Sequence, residues 1–177
     1  AQYGKLEYWE DRYQKNKQQF DWLQRYANPN GSLAMRETIA QYALPTSQIL
    51  IAGCGTSRMA EEMHDDGYQY LTNIDLSYTA IKILQEEYKD RYSNLVFKQM
   101  DVRNLQFKDG FFDVVIDKAL LDAMICGGGA SANVQLMLSE VYRVLNPSGT
   151  YICVSHGTEK QRKKYLKNVK KFNWTIQ

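Results

Sequence analysis

The sequence predicts an α/β fold built on a doubly wound, mostly parallel sheet. From residue 46 onward, short apolar runs typical of buried strands alternate with segments whose apolar residues recur at helical spacing. Such alternation favours parallel strands, because each right-handed crossover packs its helix against a face of the sheet. The length of 177 residues and the 44% hydrophobic content fit a single domain with a sizeable core.

The core elements follow one another with short connections. We expect strands at residues 49–52, 70–74, 95–99, 112–116 and 150–155, and a sixth strand that begins at Trp174. Helices are predicted over 58–64, after the capping residue Ser77, over 133–145, and in a basic segment near residues 160–172. Residues 146–149, Asn-Pro-Ser-Gly, predict a turn.

The N-terminal residues 1–45 show helical patterns without strands. Leu6, Trp9 and Tyr13 recur at i, i+3 and i+7, which predicts a short amphipathic helix. Ser32 is predicted to cap a second helix that ends before Pro45. We therefore expect one domain over 1–177, in which 1–45 form a helical lid on a core of residues 46–177.

Composition and charge narrow the possible partners. The net charge of +2 gives little reason to expect a nucleic-acid partner, and the basic residues between Lys160 and Lys171 are typical of a solvated helix face. No apolar run approaches the ~20 residues needed to cross a bilayer, and the N-terminus has no signal-peptide core, so we expect a cytoplasmic protein without a membrane partner. Three widely spaced cysteines predict neither disulfides nor a metal site.

The stretch ILIAGCGTSRMAEEM, residues 49–63, ends a predicted strand at a bare backbone turn. Gly53 and Gly55 lack a Cβ, so a ligand can approach the chain there, and the following helix offers unpaired N–H groups. In open α/β sheets, ligands bind at the carboxyl ends of the strands. A GxG turn alone is a weak signal, because it is often only a tight corner between a strand and a helix.

Acidic residues at the ends of the following strands strengthen this signal. Asp75 stands 22 residues beyond Gly53, where an acid can accept both hydroxyls of a ribose, and Asp101 and Asp117 follow the next two strands. A third glycine typical of dinucleotide sites is absent, since Arg58 occupies its position, and no P-loop signature is present. Together these residues predict a site for an adenosine that carries no diphosphate. S-adenosylmethionine is such a molecule, and we expect Asp101 to accept a hydrogen bond from its adenine amine.

The chain resembles the class I, seven-β-strand S-adenosylmethionine-dependent methyltransferases. It is most similar to lysine methyltransferases of elongation factor 1-alpha, a group that includes the methyltransferase-like proteins linked to endothelin-converting enzyme 2. The motifs that carry this resemblance are EYWEDRY, FDWL, ILIAGCGTS, NIDLS, QMDVRNLQF, FFDVVIDKALLDAM and LSEVYRVLNPSGTY. The resemblance implies a Rossmann-like fold, and S-adenosylhomocysteine as the product of the cofactor.

The resemblance also assigns roles to individual residues. It implies that Trp9 and Tyr13 close over the cofactor and that Lys118 borders both the cofactor and the site of methyl transfer. The residues implied to line the cofactor are Gly53, Asp75, Leu76, Asp101 and Val102.

Three departures from the family pattern affect the acceptor side more than the cofactor side. The family sequence GCGNS is GCGTS here, and DKGTLDA is DKALLDA, so that Ala119 and Leu120 replace a glycine and a hydroxyl residue beside the target site. The chain ends at Gln177, before the antiparallel hairpin that usually completes the sheet, so we expect that edge to be incomplete.

Methyl transfer from a sulfonium is an in-line displacement in which positioning can supply about 7–11 kcal/mol. A lysine acceptor must first lose a proton, which costs about 4 kcal/mol at pH ~7.4. Asp117 and Asp122 are candidates to orient the amine, each with a structural alternative as a helix cap or an exposed charge. We treat Lys118 as a wall of the pocket, since a cation there needs a carboxylate partner.

Three functions remain compatible with the sequence. The first is methylation of a protein lysine, with elongation factor 1-alpha as the expected substrate. The second is methylation of a small molecule with the same cofactor. The third is a partner protein that binds the cofactor without catalysis.

Overall fold

A five-stranded parallel sheet lies at the centre of the protein, in a computed structural model that describes residues 2–28, 35–167 and 171–177. The strand order is β3-β2-β1-β4-β5, and every neighbouring pair is parallel. The strands are β1 (Gln48–Ala52), β2 (Tyr70–Asp75), β3 (Val96–Gln99), β4 (Phe112–Lys118) and β5 (Leu145–Val154). The order reverses between β1 and β4, which confirms the predicted doubly wound α/β fold.

Helices cover both faces of this sheet. They are α1 (Leu6–Lys15), α2 (Met35–Tyr42), α3 (Met59–Asp65), α4 (Tyr78–Tyr88), α5 (Leu120–Ile125), α6 (Ala130–Val144) and α7 (Glu159–Leu166). Within the described residues, none of these helices has the length and apolarity that a bilayer crossing requires.

Alternation along the central strand divides the core into two layers. Ile49 and Ile51 point to one side, into a cluster with buried residues of α2, α3 and α4. Leu50 and Ala52 point to the other side, into a cluster that includes the buried face of α6. Successive side chains of a strand face opposite ways, so a strand buried on both faces reads as a continuous apolar run.

Local signals place several helix ends. The predicted Ser77 cap of α4 is confirmed, since the Ser77 hydroxyl accepts a hydrogen bond from the Ala80 amide at 3.1 Å. The predicted Ser32 cap of α2 lies outside the described residues. Helix α6 begins at Ala130, three residues before the predicted start at Asn133. Helix α5 was not predicted, because its six residues are too few to show a helical period.

The last predicted strand is wrong. The described residues 171–177 form no strand, and Trp174 instead stacks on Tyr151 of β5 with ring centroids 5.9 Å apart. Its indole N–H donates to the Leu166 carbonyl at 3.0 Å, and its ring lies 4.7 Å from that of Phe172. The aromatic side chains of this segment pack against β5, and its backbone does not pair with that strand.

The turn predicted at residues 146–149 is an irregularity at the beginning of β5. The pairing of β4 with β5 moves from Phe112 opposite Leu145 to Val114 opposite Thr150. Four residues are therefore bypassed, and the Asn146 side chain accepts from the Ser148 amide at 2.9 Å, as turn-forming asparagines do.

Helix α1 packs against the beginning of α4. The Glu10 carboxylate accepts from the Thr79 amide at 3.4 Å and from the Thr79 hydroxyl. A carboxylate at this position satisfies an N–H group of the first turn and interacts favourably with the helix dipole. The division into a lid of residues 1–45 and a core of 46–177 stays a prediction.

Ala119 has a left-handed backbone conformation, and its replacement by glycine tests whether that conformation is strained. It precedes α5 in the left-handed region, with φ of 70°, where a residue with a Cβ is strained by about 1–2 kcal/mol. We expect Ala119→Gly to raise the free energy of unfolding by about 0.5–1 kcal/mol, because relief of this strain exceeds the added entropy of the unfolded chain.

Chemical denaturation would measure this change. The matched control is Ala123→Gly inside α5, which we expect to lower stability by about 1 kcal/mol. A loss of stability in both variants would contradict the assignment of strain to Ala119.

Candidate functional site

A cleft of about 550 Å³ opens at the carboxyl ends of the parallel strands. It spans the point where the strand order reverses between β1 and β4, the usual position of ligand sites in this class of sheet. Its volume falls within the ~300–1,000 Å³ typical of small-molecule sites. Its floor is formed by the residues that follow β1, β2 and β3 and by the end of β4, and its roof by the N-terminal segment.

The glycine turn after β1 forms one side of this floor. Gly53 and Gly55 have φ of 64° and 51°, a conformation that side chains disfavour. Both glycines meet side chains of the cleft wall: a Cβ on Gly53 would lie 2.9 Å from Leu120, and one on Gly55 would lie 2.7 Å from the Tyr13 hydroxyl. Leu120 and Tyr13 therefore take the space that a Cβ would need, while both glycines still line the cleft.

Asp75 lies at the end of β2, beside this turn. One carboxylate oxygen accepts from the Gly55 amide and the other from the Ser77 amide, both at 2.8 Å. A carboxylate has about four acceptor positions, so two of them remain for a ligand in the cleft that Asp75 lines. Burial raises the pKa of Asp75, while these two amides act in the opposite direction.

Asp101 follows β3 and is held by Arg103. The Arg103 guanidinium donates to both carboxylate oxygens, at 2.6 Å for the shortest contact, and the Arg103 amide adds a bond of 2.9 Å. The same guanidinium donates to Asn133 of α6 at 3.0 Å. This pairing lowers the pKa of Asp101 and leaves about one acceptor position on its carboxylate.

Lys118 ends β4 in a buried ion pair. Its ammonium donates to Asp21 at 3.1 Å and to the Trp22 carbonyl at 2.9 Å. The side chains of Lys118 and Asp21 are only 7% and 6% exposed. Burial lowers the pKa of Lys118, and the Asp21 carboxylate opposes that change. The carboxylate partner that the sequence required for Lys118 is therefore Asp21.

Asp117 lies beneath the cleft rather than in its wall. Its fully buried carboxylate accepts from the Leu120 amide at 2.7 Å, from the Leu121 amide at 3.1 Å and from the Tyr151 hydroxyl at 2.8 Å. These bonds satisfy the first amides of α5 and correspond to the helix-cap alternative. Burial raises the pKa of Asp117 to about 6.

Asp122 lines the cleft on the β5 side and is already paired. It accepts from the Ser155 hydroxyl at 2.9 Å, from the His156 amide at 3.2 Å and from the guanidinium of Arg162. Arg162 belongs to α7, which the sequence assigned to a solvated face, yet its side chain is only 18% exposed. This ion pair joins α5, the end of β5 and α7.

Aromatic side chains form the roof of the cleft. The rings of Trp9 and Tyr13 are stacked with centroids 5.9 Å apart, and Trp22 meets Trp9 edge to face at 6.2 Å. Within the described ranges 2–28, 35–167 and 171–177, the Tyr13 hydroxyl has no hydrogen-bond partner. This hydroxyl can therefore form a hydrogen bond with a ligand in the cleft. At the far end, the backbones of Gly4 and Gly127 touch, so a Cβ on Gly4 would lie 2.5 Å from the Gly127 Cα.

Comparison with known proteins identifies this arrangement. The model of a family described as "Methyltransferase domain" matches residues 50–153, which include the glycine turn, Asp75, Asp101 and Lys118. The chain belongs to the methyltransferase domain family. The predicted resemblance to class I methyltransferases is thereby confirmed.

Named relatives refine the comparison. The methyltransferase domain is 34% identical to the mouse "eEF1A lysine and N-terminal methyltransferase" over 99% of this chain, and it spans 25% of the length of that relative. It is 30% identical to mouse "EEF1A lysine methyltransferase 4", again over 99% of this chain and over 69% of the relative. The chain thus spans about a quarter of the first relative and about two thirds of the second.

Solved structures support the fold. A SAM-dependent methyltransferase from Methanosarcina mazei is 26% identical, with a TM-score of 0.60 over 73% of this chain and 62% of that chain. A protein from Pyrococcus horikoshii is 24% identical, with a TM-score of 0.59 over 94% of this chain and 74% of that chain.

In the structure of the methyltransferase domain, most of the residues predicted for the site lie together around the cleft. Of the predicted residues, those that line the cleft are Trp9, Tyr13, Gly53, Gly55, Asp75, Leu76, Asp101, Val102, Lys118 and Asp122. Asp117 is the exception, since it lies below the floor. Among the described residues, no cluster of His, Cys, Asp and Glu is placed to hold a metal ion.

Sequence reasoning missed four residues with functional contacts. Trp22, Arg103 and Arg162 line the cleft, and Asp21 holds Lys118. A signal for Asp21 was available, because a buried lysine needs a carboxylate and the FDWL motif contains one. Arg162 had no such signal, since its six basic neighbours are typical of a solvated helix.

The raised pKa of Asp117 predicts a specific dependence of stability on pH. The folded-state pKa of about 6 lies above the ordinary 3.8, so the buried carboxyl stabilises the fold most below pH ~4 and loses that contribution as the pH rises to ~6. We expect the unfolding free energy of the native chain, relative to Asp117→Asn, to fall by about 2 kcal/mol between pH 4 and pH 6, out of about 3 kcal/mol for the complete transition.

Urea denaturation of both proteins at several pH values measures the difference. Asp113→Asn is a useful control, because Asp113 also accepts a backbone amide, that of Gln48 at 2.7 Å, outside the cleft. A difference between native and Asp117→Asn protein that is flat from pH 4 to 6 would exclude a buried titrating carboxyl.

Proposed function

We propose that the protein transfers a methyl group from S-adenosylmethionine to a lysine side chain of a protein, with elongation factor 1-alpha as the candidate substrate. The observation that carries the proposal is the cleft at the strand reversal, which joins a glycine turn and Asp75 on one side to Lys118 and Asp122 on the other. The names of the relatives support the choice of acceptor. A cytoplasmic location is part of the same proposal.

The residues on the β1, β2 and β3 side fit S-adenosylmethionine. Asp75 has two free acceptor positions for the ribose hydroxyls, and Asp101 has about one for the adenine amine. Buried Val102 offers an apolar surface to the adenine ring, while the Tyr13 hydroxyl and the glycine turn lie where a polar tail can be held. Leu76 follows Asp75 and completes this wall.

The bound cofactor supplies an electrophilic methyl group, and the chain supplies position and environment. Trp9 and Tyr13 form the roof, so they exclude water and offer ring faces to a cation. The residues after β4 and β5 lie on the remaining side of the cleft, which we assign to the acceptor. A lysine there must be held as the neutral amine, at a cost of about 4 kcal/mol near pH 7.4.

Lys118 and Asp122 border this acceptor side. An apolar, water-poor environment favours the neutral amine, and the Lys118 ammonium disfavours a second cation beside it. Asp122 accepts from Ser155 and Arg162 at Oδ1 and from the His156 amide at Oδ2, so about one acceptor position, on Oδ2, remains to orient the amine. Asp117 acts indirectly, since its bonds to the first amides of α5 set the position of Lys118, Leu120 and Asp122.

Replacement of Asp75 tests the cofactor side. We expect Asp75→Ala to weaken the binding of S-adenosylhomocysteine by about 1.5–3 kcal/mol, or roughly ten- to hundredfold, because hydrogen bonds to a charged group are lost. Calorimetry measures the affinity, and thermal unfolding verifies that the variant is folded.

Asp109→Ala serves as the matched control, since Asp109 is 82% exposed and pairs with Arg143 outside the cleft. An unchanged affinity in Asp75→Ala would exclude the ribose role. Tighter binding of NAD than of S-adenosylhomocysteine by the native chain would exclude the methyltransferase proposal itself.

The acceptor is tested by labelled methyl transfer in a whole-cell lysate. We expect the label in a protein of the mass of elongation factor 1-alpha and, after digestion, on lysine. Asp75→Ala should lower this label about five- to fiftyfold at cofactor concentrations near the native dissociation constant, as its tenfold to hundredfold weaker affinity requires. Label in small molecules alone would favour a metabolite acceptor, and no label above that of Asp75→Ala would favour a binding protein without catalysis.

A further inference from the structure

An ion pair between α5 and α7 borders the cleft on the β5 side. The Arg162 guanidinium donates to Oδ1 of Asp122 and, through Nε, to the Ser155 hydroxyl oxygen at 2.6 Å. The Ser155 hydroxyl donates to the same Oδ1 atom at 2.9 Å and accepts from the Gly157 amide at 3.3 Å. These contacts use the one donor and both acceptor positions of the Ser155 hydroxyl, so they fix Arg162 and Asp122 relative to each other.

The Arg162 side chain is also closely packed. The side chains of Arg162 and Asp122 are 18% and 22% exposed, whereas Lys160 and Lys164 of the same helix are exposed. A Cβ on Gly157 would collide with the Arg162 guanidinium, so the glycine provides the space that the guanidinium occupies. A largely buried ion pair must be well hydrogen-bonded to offset its desolvation, and removal of one partner leaves an unpaired charge.

Asp122 keeps one acceptor position for a ligand in the cleft that it lines. Its Oδ1 atom binds Arg162 and Ser155, and its Oδ2 atom accepts from the His156 amide at 3.2 Å. A carboxylate has about four acceptor positions, so about one remains, on Oδ2. Under the proposed function, the amine of the acceptor can donate to this position.

An unopposed carboxylate at this position would act against methyl transfer. The amine must be neutral, because its lone pair forms the new N–C bond while the S–C bond breaks; its proton goes to solvent beforehand, and the products are a methylated ammonium and the thioether. A carboxylate favours the ammonium form, and a guanidinium beside the carboxylate reduces that effect. Lys118 is not free to supply this charge, since its ammonium is paired with Asp21.

We propose that Arg162 is a positioning residue for methyl transfer, which fixes Asp122 so that Oδ2 orients the acceptor amine and offsets the Asp122 charge so that this amine is held neutral. The inference rests on the proposed function, because the amine is that of the acceptor lysine. Besides Arg162, other titratable groups face Asp122 or share this end of the cleft. They are Asp117 and Lys118 of β4, Tyr151 and Cys153 of β5, His156, Cys126 and Lys5.

The test is the pH dependence of methyl transfer to the protein acceptor in a single turnover, which reports groups in the complex of enzyme and acceptor. The rate rises with pH as the amine loses its proton, and the midpoint of this rise is measured for the native chain, Arg162→Gln, Arg162→Lys and Lys163→Gln. Lys163 pairs with Glu159 and does not line the cleft, so its replacement controls for the loss of one positive charge from α7.

We expect Arg162→Gln to move the midpoint upward by about one pH unit, because the unopposed Asp122 carboxylate stabilises the ammonium form. Below the midpoint, the rate should fall about tenfold. Arg162→Lys and Lys163→Gln should leave the midpoint in place, and none of the three should change the affinity for S-adenosylhomocysteine. A midpoint that does not move in Arg162→Gln, or that moves equally in Arg162→Lys or Lys163→Gln, would overturn the proposal.

Asp122→Asn covers the case in which Arg162→Gln does not fold, as thermal unfolding would show. It leaves Arg162 unopposed, so the midpoint should move to lower pH, while the plateau rate falls because the amine is no longer oriented by a carboxylate. A midpoint that stays or moves to higher pH in Asp122→Asn would contradict the role of the pair. If the native chain methylates no protein, the proposed function and this inference both fail; if it does but the midpoints do not move, only this inference fails.

Discussion

The parallel pairing of β1 with β2 on one side and with β4 on the other is the constraint on which the site depends. Because all strands run in the same direction, their carboxyl ends meet at one edge, and the helices that leave β1 and β4 diverge to opposite faces. The gap between them is the cleft. Asp75 and Lys118, 43 residues apart in sequence, thereby border the same space.

The charged side chains at this edge form ion pairs with other residues of the protein, and each pair links two elements of the fold. Arg103 links Asp101 to α6, Arg162 links Asp122 to α7, and Asp21 links Lys118 to the N-terminal segment. Buried or half-buried ions need partners, and the partners come from elements that would otherwise be independent. The acidic residues of the strand ends therefore organise the walls of the cleft as well as offering acceptors to a ligand.

The residues after β4 carry two departures from the family pattern. Ala119 and Leu120 replace a glycine and a hydroxyl residue of the family pattern, and the structure shows both effects: a left-handed alanine before α5 and a leucine packed on Gly53. The cofactor side follows the expected pattern more closely.

The sequence by itself determined the order and type of the core elements, since continuous apolar runs and helical periods reflect burial on a parallel sheet. It also determined the strand-end residues Gly53, Asp75 and Asp101, because the topology of such a sheet brings strand ends together. Only the tertiary structure decided that Asp117 lies beneath the floor, that Arg162 enters the cleft, and that Asp21 pairs with Lys118. Those outcomes depend on contacts between side chains that are distant in sequence, and local sequence patterns do not predict such contacts. The segment from Trp174 shows the same limit. Its sequence predicted a strand, but in the structure Trp174 stacks on Tyr151 and packs against Phe172.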